Sequence, residues 1–465
     1  MSMATGRGSL LWRRYLLGAL FTVALVRGGT VSLAQPVIVM PNGTEFQVST
    51  YTTNNLQFGR GVCHQADGSF VVVWGTGSGY YESIQGRRYA SGGSPLGTEF
   101  QVNSYTGANA DPAVCCNDDG FVVVWSGPFE FYSFFAGGAI LGQRFDSNGA
   151  FHGTEFQVSA FTTYTQFASN SDICCSADGD FVVVWERGLF FFGPEKTSVL
   201  GQRFASSGAA QGTEFAVNSY TTGQYSLSPG VCCDAAGDFV VAWDRGGFDN
   251  IDVFGQRYAS NGNPRGTEFQ VNTYTSGFQG TVPSLVGVLL ENQAICCDQA
   301  GDFVVAWTDT SQLPEDTIFA QRFASGGAFR GTEFQVSSYT TNQASPSVCC
   351  GPAGDFVIAW QEGSAYFTAP NLAGRRFSSN GSATGPKFQI NTYSTSNGPP
   401  AISCDPSGGF VVTWFADATG TQVFGQRFKL AIGLAPAPTL SFFGLATCMV
   451  GLLVAAARGL RRRRR

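Results

Sequence analysis

Residues 231–243 read VCCDAAGDFVVAW and contain the pattern that decides the fold. Two adjacent cysteines precede a short polar segment, which is followed by an apolar run that ends in tryptophan. Related stretches begin at Val114, Ile173, Ile295 and Val348. The run 239–243 is apolar without alternation, which is typical of a β-strand buried on both faces. The Gly and Asp residues before it favour a tight turn between two strands.

The same unit occurs seven times along the chain. A GTEFQV-like segment begins at Gly43, Gly97, Gly153, Gly212, Gly266, Gly331 and Gly385. The Phe-to-Trp segment ends at Trp74, Trp125, Trp185, Trp243, Trp307, Trp360 and Trp414. A GQRF-like segment carries Arg88, Arg144, Arg203, Arg257, Arg322, Arg376 and Arg427. The period is 54 to 65 residues, which is close to the length of one propeller blade.

Each unit predicts four strands: the cysteine strand, the Phe-to-Trp strand, the GQRF-like strand and the GTEFQV-like strand. A sheet buried on both faces needs another sheet on each side, and radial stacking of blades provides this. The chain starts with an isolated fourth strand, residues 43–48, and its last unit ends with a third strand, residues 423–428. We therefore predict an all-β, seven-bladed propeller over residues 35–430, in which strand 43–48 completes the last blade and removes the unpaired edges.

The two ends of the chain have a different composition. Residues 1–34 combine a basic start with a short apolar stretch and a small-residue cleavage motif, which predicts a signal peptide. Residues 431–439 form a Pro-rich linker, residues 440–457 are long enough for one transmembrane helix, and residues 458–465 form an Arg-rich cytoplasmic tail. We expect an exported protein in the cell envelope or on the outer surface, anchored at least transiently by the C-terminal helix.

Charge excludes one class of partner. The chain has 27 basic and 33 acidic residues, and ten of its arginines lie in the two predicted terminal segments. The remaining body has 17 basic residues against 33 acidic ones, a net charge of −16. Such a body repels nucleic acid, so no nucleic-acid partner is expected.

Two family resemblances follow from these motifs. The units resemble tandem repeats of the form GFVVVW…GQRF…EFQVN in bacterial secreted and adhesin-like proteins, which implies a surface role and no known catalysis. The tail, with PAPTLS, an apolar helix and arginines, resembles the PEP-CTERM and IPTL-type sorting signals of Gram-negative bacteria. That resemblance implies a sorting protease as a partner; an ordinary single-span anchor is the alternative.

The cysteines occupy a front and a rear position at the end of each first strand. Neighbouring residues of a strand point to opposite faces, so one cysteine faces the preceding blade and the other faces the next. Pairing each front cysteine with the rear cysteine of the following blade uses twelve cysteines and leaves His64 and Ser403 opposite each other at the ring closure. The predicted bridges are Cys63–Cys116, Cys115–Cys175, Cys174–Cys233, Cys232–Cys297, Cys296–Cys350 and Cys349–Cys404. The alternatives are small buried thiols, bridges within each adjacent pair, and a metal ring, for which the ligand spacing is unsuitable.

No catalytic residue, cofactor or metal site is predicted. His64 and His152 are the only histidines, and neither belongs to a recognisable triad. The acidic turns lack the alternating ligands of a calcium loop. The repeated Arg and Glu of the third and fourth strands, such as Arg203 and Glu214, are expected to form cross-strand pairs on the outer rim.

The loops between second and third strands differ most among the units, and several contain clustered aromatic residues. Exposed aromatic clusters on a rigid scaffold are typical of contact surfaces. The alternative is that these side chains pack on one another. The candidate ligand-binding residues, for an unidentified protein or glycan, are Tyr80, Tyr81, Phe129, Phe131, Tyr132, Phe190, Phe191 and Phe192.

The leading functional hypothesis is a non-enzymatic binding or structural module on the cell surface. The alternative is a glycan-processing propeller enzyme of the glycoside hydrolase or lyase type. Such an enzyme requires acidic residues that break the repeat, for which Glu82, Glu130 and Glu195 are candidates. The insertion 281–293, TVPSLVGVLLENQ, has no explanation from the repeat pattern.

Overall fold

The structure is a computed structural model. It describes residues 37–50, 56–77, 82–104, 108–129, 138–160, 166–189, 197–219, 224–247, 250–280, 294–311, 316–337, 341–363, 371–392, 396–417 and 421–432. Residues 37–431 form one compact unit, and this unit is the predicted all-β, seven-bladed propeller. The predicted signal peptide, transmembrane helix and Arg-rich tail lie outside the described residues, as does the predicted linker except for residues 431–432, which belong to the last strand. Within the described ranges, no helix is long and apolar enough to cross a membrane.

Strands are numbered in chain order. The N-terminal strands are β1 (Val37–Pro41) and β2 (Phe46–Gln47). Blade 1 contains β3 (Leu56–His64), β4 (Phe70–Gly77), β5 (Glu82–Tyr89) and β6 (Phe100–Gln101). Blade 2 contains β7 (Ala108–Asn117), β8 (Gly120–Phe129), β9 (Ala139–Asp146) and β10 (Phe156–Gln157). Blade 3 contains β11 (Gln166–Cys175), β12 (Phe181–Leu189), β13 (Ser198–Phe204) and β14 (Phe215–Ala216).

The remaining blades follow the same order. Blade 4 contains β15 (Tyr225–Cys233), β16 (Phe239–Gly246), β17 (Ile251–Tyr258) and β18 (Phe269–Gln270). Blade 5 contains β19 (Gln279–Gly280), β20 (Ala294–Cys297), β21 (Phe303–Asp309), β22 (Thr317–Phe323) and β23 (Phe334–Gln335). Blade 6 contains β24 (Asn342–Cys350), β25 (Phe356–Gly363), β26 (Asn371–Phe377) and β27 (Phe388–Gln389). Blade 7 contains β28 (Ser396–Asn397), β29 (Ala401–Cys404), β30 (Phe410–Asp417) and β31 (Thr421–Ile432).

Strand β2 closes the ring as predicted. It pairs antiparallel with β31, with Phe46 opposite Gly425 and Gln47 opposite Phe424. Strand β1 also joins β31, which continues to Ile432 and so offers a longer edge than the predicted 423–428. The last blade therefore combines both ends of the propeller, and the sequence pattern did not predict β1.

The core lies between adjacent blades. Second strands are buried on both faces: in β4, residues Val71, Val72, Val73 and Trp74 are all at most 1% exposed. One apolar cluster contains residues of blades 2 and 3, including Val124 and Trp185, and equivalent clusters fill the other interfaces. Stacked aromatic pairs extend this packing, as between Phe181 and Phe204, whose ring centroids are 4.9 Å apart. Sheet-on-sheet burial is thus the reason for the unbroken apolar runs.

Repeated glycines let the fourth strand pack closely. In blade 3, a Cβ atom added to Gly201 would lie 2.6 Å from Cζ of Phe215, so the phenylalanine ring covers the glycine directly. The same contact joins Gly255 to Phe269 and Gly425 to Phe46. The GQRF glycine is therefore required by a close approach between neighbouring strands.

Six disulfides join the inner strands of neighbouring blades, and they are the predicted six. Their Cα atoms are 5.4–5.6 Å apart, within the usual range for bridged cysteines. At the remaining interface, between blades 7 and 1, Nδ1 of His64 lies 2.9 Å from Oγ of Ser403. The prediction that these two residues face each other is confirmed.

The repeated Arg bonds the next blade in six of the seven blades, and Arg376 of blade 6 instead pairs with Asp355 of its own blade, so the predicted cross-strand pairing with Glu is wrong. Arg203 donates to the carbonyl of Asn261 in the next blade at 2.8 Å. Glu214 accepts from the backbone N–H of Ala160, in the segment that follows the preceding blade, at 2.9 Å. A guanidinium can reach a neighbouring turn, whose carbonyls lack strand partners, and form charge-assisted hydrogen bonds with them.

Candidate functional site at the crossover end of the ring

The two ends of the propeller differ. At the turn end, first strands pass into second strands through tight turns such as 65–69, and this end carries the disulfides. At the crossover end lie the loops between second and third strands and the connections from one blade to the next. The inner strands contact one another in a closed ring around the axis, including β29 with β3. Residues of the inner strands near the crossover end therefore surround the entrance of the central channel.

Each inner strand is distorted near this entrance. In blades 2, 3, 4 and 6, two residues of the first strand lie opposite the single repeated tryptophan of the second strand, which is a β-bulge. The first bulge residue has a positive φ of 50–56° in each of these blades: Asp111, Asn170, Ser228 and Ser345. Asp and Asn tolerate this conformation better than most residues. The bulge brings polar side chains to positions that regular alternation would not give them.

The insertion in blade 5 occurs at the same level. Its inner strand is interrupted between Gly280, opposite Thr308, and Ala294, opposite Ala306. The intervening residue of the second strand is Trp307, so the insertion 281–293 takes the place of the two-residue bulge. The inserted residues themselves lie outside the described part of the chain.

Glu186 is a buried carboxylic acid at this level. It follows Trp185, at a position occupied in the other blades by Gly75, Ser126, Asp244, Thr308, Gln361 and Phe415. Only 2% of its surface is exposed. Its Oε2 accepts a hydrogen bond from Nδ2 of Asn170 at 3.0 Å, and its carboxylate also accepts from the backbone N–H of Ser228 in blade 4. Burial raises the pKa of Glu186 to about 7; the two hydrogen bonds oppose this shift and the charge of Asp111 adds to it.

Asp172 breaks the repeat at the inner strand itself. The equivalent residues of the other blades are all small: Gly61, Ala113, Gly230, Ala294, Ser347 and Ala401. Oδ2 of Asp172 accepts from the backbone N–H of Val231 at 2.8 Å and so connects the inner strands of blades 3 and 4. Burial raises the pKa of Asp172 to about 6, while backbone hydrogen bonds from Val231 and Ile173 act in the opposite direction. Its side chain is half-buried.

Asp111 is a further carboxyl group at this level, where blade 4 also has the buried Asp244. It is the positive-φ residue of the bulge in blade 2 and is half-buried. Burial raises the pKa of Asp111 to about 6. We call the group formed by Asp111, Asp172 and Glu186 the acidic entrance. Its members retain protons at a higher pH than ordinary carboxylic acids. Groups of this kind can donate a proton near neutral pH, and when ionised they can accept hydrogen bonds from hydroxyl groups.

The acidic entrance was missed in the analysis of the sequence. A signal was available for Asp172, which stands among six small residues, but not for Glu186, whose position differs in every blade and is also acidic at Asp244. Most of the candidates predicted instead lie outside the described residues: Tyr80, Tyr81, Phe131, Tyr132, Phe190, Phe191, Phe192, Glu130 and Glu195. Phe129 ends β8 and Glu82 begins β5, but their side chains are not among those described.

The two histidines lie away from the acidic entrance. Burial lowers the pKa of His64 to about 4, with Arg427 acting in the same direction and Asp405 opposing it, so this ring is neutral at pH 7. His152 lies near the turn end, where its Nδ1 is 3.5 Å from Nη2 of Arg144. Among the described residues, no group of three or more His, Cys, Asp and Glu side chains is arranged to hold a metal ion.

The chain matches no family model and no curated protein in sequence. Its fold is similar to a protein of unknown function from Dyadobacter fermentans DSM 18053, with a TM-score of 0.51 and 11% identity, covering 85% of this chain and 100% of that one. It is also similar to the polysaccharide lyase Uly1, with a TM-score of 0.50 and 9% identity, covering 84% of this chain and 99% of that one. At these identities, the similarity establishes the propeller fold alone.

Proposed function

We propose that this protein is an exported, glycan-processing propeller enzyme of the glycoside hydrolase or lyase type, with its site at the acidic entrance. The observation that carries the proposal is Asp172, a half-buried carboxyl group with a raised pKa at a position where six other blades have a small residue. A repeat unit does not need this carboxyl group to fold, since the other blades lack it. Perturbed carboxyl groups at the mouth of a rigid channel are typical of catalytic sites.

The roles of the three acids follow from their exposure. Asp111 and Asp172 are half-buried and can contact a sugar directly. Glu186 is 2% exposed and would act through its neighbours, because the charge of Asp111 opposes ionisation of Glu186. A protonated Asp172 or Asp111 would donate a proton to the leaving oxygen, and the other carboxylate would serve as base or nucleophile. The polysaccharide lyase with a similar fold is a precedent for such a substrate on this scaffold.

The test is a panel of neutral, amino-substituted and uronic-acid polysaccharides, with reducing ends and unsaturated products measured separately. We expect Asp172→Asn and Asp111→Asn each to lower the rate at least a hundredfold. Asp119→Asn, in an exposed turn at the opposite end, is the matched control and should retain full activity. The rate should also decline as the pH rises above about 6, because the proton donor is then lost. Absence of product from every substrate class would reject the enzymatic proposal.

A non-enzymatic binding module is the second candidate function. The burial of Glu186 favours it, because a catalytic pair then depends on Asp111 and Asp172 alone. In this candidate, a protein or glycan would bind at the crossover end. Retention on an immobilised polysaccharide without product formation, lost in Asp172→Asn, would favour binding over catalysis.

We also propose that the protein works outside the cytoplasm. Six disulfides fit an oxidising compartment. Residues 440–457 would act as a membrane anchor, and a sorting protease would act on the preceding linker. Fractionation should find the full chain in the membrane and a chain that ends at residue 432 in the soluble exported fraction. Equal partition of the two chains would contradict the anchor.

A further inference from the structure

The native bridges have an unusual order along the chain. Each bridge encloses at least one other bridged cysteine: Cys115 lies between Cys63 and Cys116, and Cys350 lies between Cys349 and Cys404. No bridge joins cysteines that are consecutive in sequence. A chain oxidised in the order in which its cysteines appear would therefore form a different set, beginning with Cys63–Cys115.

An unfolded chain cannot distinguish the right partner from the wrong one. Closing Cys63 onto Cys116 forms a loop of 53 residues, and closing it onto the adjacent Cys115 shortens the loop by one residue. Loop-closure free energy varies only with the logarithm of length, so the two choices have nearly the same free energy. Five adjacent pairs each present two choices, which gives roughly 32 arrangements even when only neighbouring blades are joined, and one of them is native.

Only the assembled inner strands distinguish the two sulfurs. In the folded ring the front cysteines, such as Cys115 and Cys174, are 7–8% exposed, whereas their rear neighbours are half-buried. The distinction arises because adjacent residues of a strand point to opposite faces. A bridge that forms before two blades lie side by side is as easily wrong as right, and each wrong bridge has to be exchanged before the ring can close.

We propose that the mature protein is the product of a thiol–disulfide isomerisation, catalysed by a dithiol isomerase of its oxidising compartment. A thiolate of the isomerase attacks one sulfur of a non-native bridge, forms a mixed disulfide and releases the other cysteine as a thiolate. That thiolate attacks a non-native bridge of the adjacent blade, forms a new bridge and releases a third cysteine as a thiolate. The third thiolate attacks the mixed disulfide, which forms a second new bridge and releases the isomerase thiolate. The exchange transfers no net electrons, so a separate oxidant is needed only for the first bridges.

The adjacent cysteine makes this exchange local. A wrong bridge at Cys115 is corrected when the neighbouring Cys116 takes over the same partner, a shift of one residue. Each correction releases a cysteine that can correct the next pair, so native pairing can pass from one blade to the next. This chemistry requires reversible exchange, and a strong oxidant without thiols would block it.

The experiment starts from reduced, denatured protein. One sample is refolded with an oxidant in the absence of thiols, and another with glutathione redox buffer and protein disulfide isomerase. Bridges are mapped by mass spectrometry without reduction. We expect at least a tenfold higher yield of the six native bridges with the isomerase. Equal yields and rates would overturn the proposal, because they would mean that the reduced chain folds first and positions its own thiols.

A double variant provides an internal control. Replacing Cys115 and Cys175 by alanine removes one bridge and leaves Cys116 as the sole cysteine of blade 2. In Cys115→Ala/Cys175→Ala, the bridge Cys63–Cys116 should form equally well with and without isomerase, while Cys232–Cys297 should still depend on it. If both bridges depend equally on the isomerase, the adjacent cysteines are not the reason that an isomerase is needed, and the proposal is wrong.

Discussion

The interface between blades 7 and 1 lacks a disulfide, and a seventh bridge there would test the architecture directly. The perturbation is His64→Cys/Ser403→Cys. The side chains of His64 and Ser403 already meet, with Nδ1 and Oγ 2.9 Å apart, at the rear and front positions that cysteines occupy in the six other interfaces. We expect the new pair to oxidise spontaneously in the folded ring.

The expected gain in stability follows from how the existing bridges constrain the unfolded chain. When the six bridges are intact, the shortest covalent path from residue 64 to residue 403 runs through the twelve bonded cysteines and bypasses the backbone between them. A seventh bond closes this path into a ring comparable to a loop of about 20 residues, which should add about 3 kcal/mol of stability. For the compact unit Val37–Ala431, that gain raises Tm by about 4 °C.

The assay is calorimetry of the oxidised double variant and the parent protein, together with non-reducing peptide mapping. Ser403→Cys alone is the control, because it makes the same substitution without a partner thiol. Failure of the two introduced thiols to bond in the folded protein would mean that the two blades do not meet as described. A bond that forms without raising Tm would refute the argument from the unfolded chain.

Three further predictions concern pH, the bridges and the inter-blade hydrogen bonds. Glu186 has a raised pKa, so its folded form holds a proton that the unfolded chain loses, and the free energy of unfolding should fall as the pH rises from about 4.5 to about 7. Glu186→Gln should remove the part of this fall between about pH 6 and pH 7 and leave the part below about pH 6 that comes from Asp111 and Asp172, measured by urea titration at each pH. Cys174→Ala/Cys233→Ala, which opens a loop with a sequence separation of 59, should lower the free energy of unfolding by about 2–4 kcal/mol in denaturant titrations. Glu155→Gln should weaken the bond to the N–H of Ser104, 2.8 Å away, and lower the free energy of unfolding by about 1 kcal/mol, whereas exposed Asp119→Asn should change it by less than about 0.5 kcal/mol.

His64 should act in the opposite direction to Glu186 as the pH changes. Its folded pKa is about 4 against 6.5 for the ordinary side chain, so the unfolded chain binds a proton first as the pH falls from 6.5 to 4. Stability at this interface should therefore decrease over that window. His64→Gln should reduce the loss, which hydrogen exchange of β3 and β29 would detect. An unchanged pH profile would contradict the burial of this ring.

Much of the architecture was predictable because it depends on short-range patterns. The apolar run before Trp243 indicates a strand buried on both faces, and adjacent cysteines must point to opposite faces of a strand. The positions without cysteine, His64 and Ser403, decided the direction of pairing. Even the ring closure followed from the phase of the repeat, since strand 43–48 had no blade of its own.

The errors and omissions concern contacts between blades. Arg203 bonds a carbonyl 58 residues away, so pairing it with the nearer Glu214 was wrong. Asp172 meets Val231 across 59 residues, and Glu186 meets the N–H of Ser228 through a bulge that shifts the register. By itself, the sequence determined the repeat, the strands, the ring and its bridges, because each follows from alternation and spacing within one unit. Only the tertiary structure decided which carboxyl groups at the entrance retain their protons, because these groups lie in blades 2 and 3, are buried there, and in the case of Asp172 and Glu186 accept hydrogen bonds from backbone N–H groups of blade 4.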